Sequence, residues 1–126
     1  MAQLPDNSIP RKGENSGLWF IKMITGPLLV ILIFIHMIMN HLIAPDGLMS
    51  YNDVIQYFSN PLIVGMEILL VITVVVHSLL GVRSVILDLN PSRKLLNLLN
   101  WFFGVGGTVT LIYGIWLAIT IASQSK

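Results

Sequence analysis

The sequence predicts an all-α membrane protein built from three transmembrane helices, and three observations predict it. Of 126 residues, 55% are hydrophobic and 10% charged, with a mean hydropathy of +0.81, whereas soluble domains carry about a quarter charged residues. The apolar residues gather into three runs, each longer than the about 20 helical residues needed to cross about 30 Å of hydrocarbon. Lys and Arg cluster at alternate ends of those runs, which is the distribution that orients a multi-span chain in a bilayer.

The segment 1–17 carries Pro5, Pro10 and Gly13 among Ser and Asn, and reads as an exposed, extended cytoplasmic arm. The first span, 18–43, is too long for a secretory h-region of about 7 to 15 residues, so it is expected to remain in the mature protein. In the loop Ala44 to Asn60, Ser50-Tyr51-Asn52-Asp53 precedes Val54, Ile55, Tyr57 and Phe58. A capped start followed by apolar residues predicts a short amphipathic helix on the membrane surface. The second span, 61–87, stops at the turn Asn90-Pro91-Ser92. The third, 95–121, contains Gly104, Gly106, Gly107, Gly114, Thr108, Thr110 and Ala118, small residues that allow close backbone approach or leave space beside a flat cofactor. Residues 18–126 thus read as one anchor domain, with no chain left over for a soluble catalytic domain.

Arg11, Lys12 and Lys22 precede or open span one, Arg83, Arg93 and Lys94 surround the turn after span two, and Lys126 alone lies at the opposite end. Positive residues stay inside, so the N-terminus and that turn are expected in the cytoplasm, and the first loop and C-terminus outside. A formal net charge of +1 gives no excess to neutralise a phosphate backbone, which excludes nucleic acid as a partner. The absence of cysteine excludes disulfides, iron–sulfur ligation by this chain and a thiol nucleophile. The arm contains Asp6 and Glu14 and lacks the Arg-rich pattern of a transit peptide. The expected location is therefore the plasma (inner) membrane of a prokaryote.

Ionisable side chains at membrane depth are costly and tend to mark functional sites. His36 lies fourteen residues from Lys22, and His77 six residues from Arg83. At 1.5 Å per residue they sit about 21 Å and about 9 Å from the basic end, two levels separated by roughly 12 Å. One metal or haem cannot easily take both, whereas two haems stacked across the membrane would use one each. His41 follows His36 by five residues, about 140° around an ideal helix, so it cannot point at the same group and is close enough to the outer end to reach interfacial water. Glu67 falls near the depth of His36. It could hydrogen-bond that imidazole, contact a haem propionate, relay a proton, or sit as a neutral acid bonded to a neighbouring helix.

His77-Ser78-Leu79-Leu80-Gly81-Val82-Arg83 followed by Asp88 resembles helix two of the cytochrome b membrane-anchor subunits of succinate dehydrogenase and fumarate reductase. Lys22-Met23-Ile24-Thr25-Gly26 followed by His36 resembles the opening of helix one in the same family, with Lys22 where Arg is more usual. The pair His36 and His41 and the segment Tyr51 to Pro61 resemble the D-type chain of its two-haem class. The resemblance spans residues 18 to 90, and the third span matches in length and glycine content.

What the resemblance implies is half of a two-chain bundle holding two b haems. His77 would ligate the haem nearer the iron–sulfur subunit and His36 the distal one, each completed by a histidine of the second anchor chain. Gly81, one turn from His77, would leave room for the porphyrin, with Arg83, Glu67 and His41 as further residues beside the haems. Asp88 and Lys22 would border a quinone site, with menaquinone the first expectation. Leu89 stands where many D-type chains have a quinone-bonding Tyr, and Val75 where fumarate reductases have a proton-pathway Glu. Partners implied are the second anchor, the iron–sulfur subunit and the flavoprotein that performs the succinate/fumarate chemistry. Two other readings stand beside it: a cytochrome b of a hydrogenase or formate dehydrogenase, which usually has four or more spans, and a haem-free, proton-coupled membrane protein using His36 and Glu67.

Overall fold

The computed structural model describes residues 15–126, so most of the arm expected over 1–17 lies outside them. Among the described residues the regular structure is helical, without strands. Helix α1, Ser16–Met37, starts where the side chain of Asn15 accepts the N–H of Gly17 at 2.9 Å, which satisfies one of the unpaired donors of a first turn. After Met37 the helix widens into one π turn, Ile38–Leu42, closed by the N–H of Ile43 on the carbonyl of Ile38 at 3.0 Å. Together the two segments give a first span of Ser16–Leu42, close to the one expected. The π turn departs from the uniform helix that apolar length alone suggests, and its cause is local. Asn40 Nδ2 donates to the carbonyl of His36 at 2.9 Å, so a side chain satisfies that oxygen where the backbone register changes.

The connection passes through Asp46 and Gly47, both in the left-handed region with φ of 56° and 74°, to helix α2, Tyr51–Tyr57. Its start is a reciprocal capping box: Ser50 Oγ accepts the N–H of Asp53 and Asp53 accepts the N–H of Ser50. Helix α3, Pro61–Asp88, begins with Pro at its first position, where a missing N–H costs nothing. It ends at Asn90, whose φ of 49° suits a residue tolerant of left-handed backbone. Helix α4, Arg93–Ser123, is capped by Ser92. At 1.5 Å per residue α3 and α4 are about 42 and 46 Å long, enough to cross hydrocarbon with their ends in the interface.

Helix α3 is the centre of the packing, antiparallel to α1 on one side and α4 on the other. Against α1 the register is set by Thr25 opposite His77 and His36 opposite Glu67. Against α4 it is set by Arg83 bonded to Asn100, and by Gly107 and Gly114 packed on Leu79 and Val71. Tyr51 Oη donates to Gln124 Oε1 at 2.8 Å, so the α2 loop and the end of α4 share one side of the bundle, as the charge distribution required. Within the spans, Thr73, Thr108, Thr110 and Thr120 give their hydroxyl protons to carbonyls four residues earlier, which satisfies these donors without water. Val30, Phe34, Trp101 and Ile112 stay exposed, an apolar exterior suited to hydrocarbon or to another span.

Candidate functional site

The polar side chains of the spans collect at two levels along the α1–α3 seam. At the loop end, Glu67 is buried and forms the hub. Its Oε1 accepts from Tyr57 Oη at 2.6 Å, and both carboxylate oxygens lie 2.9 Å from His36 Nδ1. Asn40 Nδ2, already bonded to the His36 carbonyl, also donates to Tyr57 Oη at 3.4 Å. Tyr57 has one proton and gives it to Glu67, and the remaining bond joins Glu67 to His36 Nδ1, which Asn40 Nδ2 also approaches at 3.3 Å; with Glu67 ionised, Nδ1–H is its donor. A contact with this imidazole was one of the possibilities the sequence left open for Glu67, and it is present. Burial, and after it the Glu67 carboxylate, hold the Tyr57 phenol well above its ordinary value.

At the basic end the ring of His77 is held differently. Thr25 Oγ1 donates to the carbonyl of Ile21 at 2.8 Å and lies 3.0 Å from His77 Nδ1. With its single proton spent on the backbone, Thr25 accepts from Nδ1–H. Gly26 faces the same ring: a Cβ there would meet His77 Cε1 at 3.4 Å. Gly81, expected to open space beside His77, has nothing within 4 Å of where its Cβ would be, so the glycine against the ring is Gly26 and the one beside open space is Gly81.

Both imidazoles thus engage their partners through Nδ1, and a proton held there leaves the lone pair on Nε2, the form in which a histidine ligates a metal. The His36 side chain is 36% exposed and His77 is half-buried, so neither ring is enclosed by this chain. The levels lie further apart than the terminal charges suggested. Thr25 and His36 are eleven residues apart on α1, and Glu67 and His77 ten on α3, which gives about 15 Å. Counting depth from the terminal charges treats Lys22 and Arg83 as level, whereas the long Lys22 side chain reaches along α3 to Ser84.

The other expected residues separate by end. His41 is exposed, with Nδ1 3.4 Å from the carbonyl of Gly47, and stands apart from the Glu67 hub. Lys22 and Ser84 come together at the basic end, and Asp88 is the last residue of α3 at that same end. Arg83 Nε donates to Asn100 Oδ1 at 2.8 Å, and the two border a groove of about 330 Å³ whose other walls include Leu18, Ile21, Leu80 and Phe103. Sequence reasoning named none of Tyr57, Asn40, Ser84 or Asn100 as site residues. Asn40, one turn after His36, was the signal available.

A helical chain with three helices long and apolar enough to cross a membrane, and with imidazoles at two levels of one helix seam, belongs to the class of multi-span membrane proteins. Residues 3–123 match the family described as succinate dehydrogenase/fumarate reductase transmembrane subunit, and the chain belongs to that family. It is similar to the succinate dehydrogenase hydrophobic membrane anchor subunit of Archaeoglobus fulgidus, 26% identical over 103 residues that cover 82% of this chain and 87% of that protein.

Proposed function

We propose that this chain is the D-type cytochrome b anchor of a succinate:quinone oxidoreductase in a prokaryotic plasma membrane. With a second anchor chain it holds two b haems, and it helps to form the site at which electrons pass between the iron–sulfur subunit and membrane quinone. The observation that carries the reading is that His36 and His77 both engage Nδ1 and keep Nε2 available, at levels about 15 Å apart. That fits two haems, one ligand each from this chain, and not one shared group.

The residues present suit such a group. Gly26 keeps the His77 ring clear of a side chain on α1, and Gly81, Gly104 and Gly106 border open space rather than packed neighbours. A haem with two imidazole ligands supplies one-electron transfer and has no open iron position. His36 and His77 would provide one ligand each, while Thr25 and Glu67 hold the rings and fix the ligating nitrogen. At the basic end, an apolar groove with Arg83 and Asn100 at its edge suits a ring with polar carbonyls on an apolar tail, and Lys22 and Asp88 lie at the same end of the bundle. That end would face the cytoplasm and the iron–sulfur subunit, and a flavoprotein partner would perform the succinate/fumarate chemistry. This chain supplies no catalytic residue of its own.

The test is a dithionite-reduced minus oxidised spectrum of the complex purified from membranes, with haem counted per chain for wild type, His36→Ala and His77→Ala. Loss of one distinct b haem in each variant is the expected result. A haem-free wild type would instead support the proton-coupled alternative built on His36 and Glu67.

A further inference from the structure

We propose that Glu67 is the positioning residue for His36, and that its carboxylate, braced by Tyr57, gives the haem on His36 a lower reduction potential than Thr25 gives the haem on His77. The inference rests on the two-haem reading above and goes beyond it, because it assigns the carboxylate, the phenol and the hydroxyl their separate effects.

A carboxylate in the middle of a span is retained only where its bonds offset the cost of burial. Glu67 is 8% exposed, accepts from Tyr57 at 2.6 Å and lies 2.9 Å from His36 Nδ1. One of them comes from outside the span: α2 folds back over the bundle so that Tyr57, itself buried, reaches down to Oε1. Asn40 ties the phenol to the backbone carbonyl of His36. Ring, carboxylate and phenol are thus fixed to one another by groups from α1, α2 and α3 and the π turn that follows α1.

The partner of His77 differs in charge. Thr25 is a neutral acceptor whose own proton is committed to Ile21. A carboxylate accepting Nδ1–H draws that proton toward itself and makes Nε2 a stronger electron donor, whereas a hydroxyl oxygen does so much less. A stronger donor favours the oxidised ion. The same fold therefore builds two imidazoles of unequal donor strength at its two levels.

The experiment is a redox titration of the purified multi-subunit complex, following each haem optically, for wild type, Glu67→Gln, Tyr57→Phe and Thr25→Ser. Glu67→Gln keeps an acceptor oxygen and removes the charge. It is expected to leave haem content intact and shift the reduction equilibrium of the His36-dependent haem by about tenfold toward the reduced form, which is about 59 mV for one electron. The potential of the His77-dependent haem should not move. Tyr57→Phe is expected to shift the His36-dependent haem by less, and Thr25→Ser to shift neither. A Glu67→Gln complex in which both potentials are unchanged, or shift equally, overturns the assignment while leaving the two-haem reading standing. A wild type with no His36-dependent haem overturns both.

Discussion

The hydroxyl of Thr25 and Nδ1 of His77 lie 3.0 Å apart across the α1–α3 seam. The contact joins the two sequence motifs that most resemble the family. It also explains the Thr of the first motif, which accepts the proton that would otherwise leave the imidazole free to rotate or change tautomer. Thr25→Val keeps the shape and removes the acceptor, so His77 is left with a half-buried, unpaired N–H. Such a loss costs about 1–3 kcal/mol and, with His77 as the haem ligand proposed above, about 10–100-fold in affinity. The expected outcome is a complex depleted of the His77-dependent haem alone, measured by haem content after detergent washing, with Thr25→Ser restoring it.

The glycines of α4 divide into two kinds, and alanine distinguishes them. A Cβ at Gly114 would meet Val71 Cγ1 at 2.9 Å, and a β-branched side chain in a helix has essentially one rotamer to occupy. Gly114→Ala should destabilise the α3–α4 pair by about 1–3 kcal/mol, seen as a lower detergent melting temperature. Gly107→Ala meets Leu79 Cδ1 at 2.6 Å, the end of a side chain able to swing away, and should cost less. Gly104→Ala and Gly106→Ala meet nothing within this chain. They should leave its own helical fold intact, and any loss of co-purifying subunits or haem in them would locate a neighbour against that face.

Spans, turns and the capped short helix were legible because each follows from local rules: apolar length, Pro91 after Asn90, Ser50 three residues before Asp53. The depth of Glu67 beside His36 was legible too, since helical rise converts residue counts into levels. Tyr57 was not, because its role depends on how α2 folds over the bundle, and a loop of this length does not fix that geometry from sequence. The π turn was hidden for a related reason: Asn40 looks like any polar residue near a helix end until its amide is seen on the His36 carbonyl. Gly26 and Gly81 could not be told apart either, because which glycine meets the His77 ring depends on the rotation of α1 about its own axis.

Burial and the Glu67 carboxylate raise the pKa of Tyr57, with a measurable sign. The folded state holds that proton more tightly than the unfolded chain, so the contribution to stability is whole below the ordinary value of 10.0 and is lost as pH rises above it. In an ultraviolet titration of the folded protein, Tyr57→Phe should leave the amplitude reached by about pH 10.5 nearly unchanged, because Tyr57 is still protonated there. A drop of a full phenolate in that range would show that the Tyr57–Glu67 bond is not held in the folded protein.

Asp53 shifts the opposite way. The Ser50 hydroxyl and then the Ser50 backbone N–H bond its carboxylate at 2.7 and 2.8 Å and lower its pKa below the ordinary 3.8. A group lowered on folding contributes stability above its ordinary value and loses it as pH falls through the folded one. The capping box should therefore hold α2 in place at neutral pH and weaken only in acid below about pH 4. Asp53→Asn and Ser50→Ala should each loosen α2 at neutral pH, read as faster amide exchange over Tyr51–Tyr57. Because Tyr57 closes that helix and donates to Glu67, the loosening should reach the span. Asp53→Asn is expected to reproduce in weaker form the effect of Tyr57→Phe on the His36-dependent haem, while leaving the His77-dependent haem unchanged. Equal effects on both haems would mean that α2 supports the bundle as a whole and not the His36 level in particular.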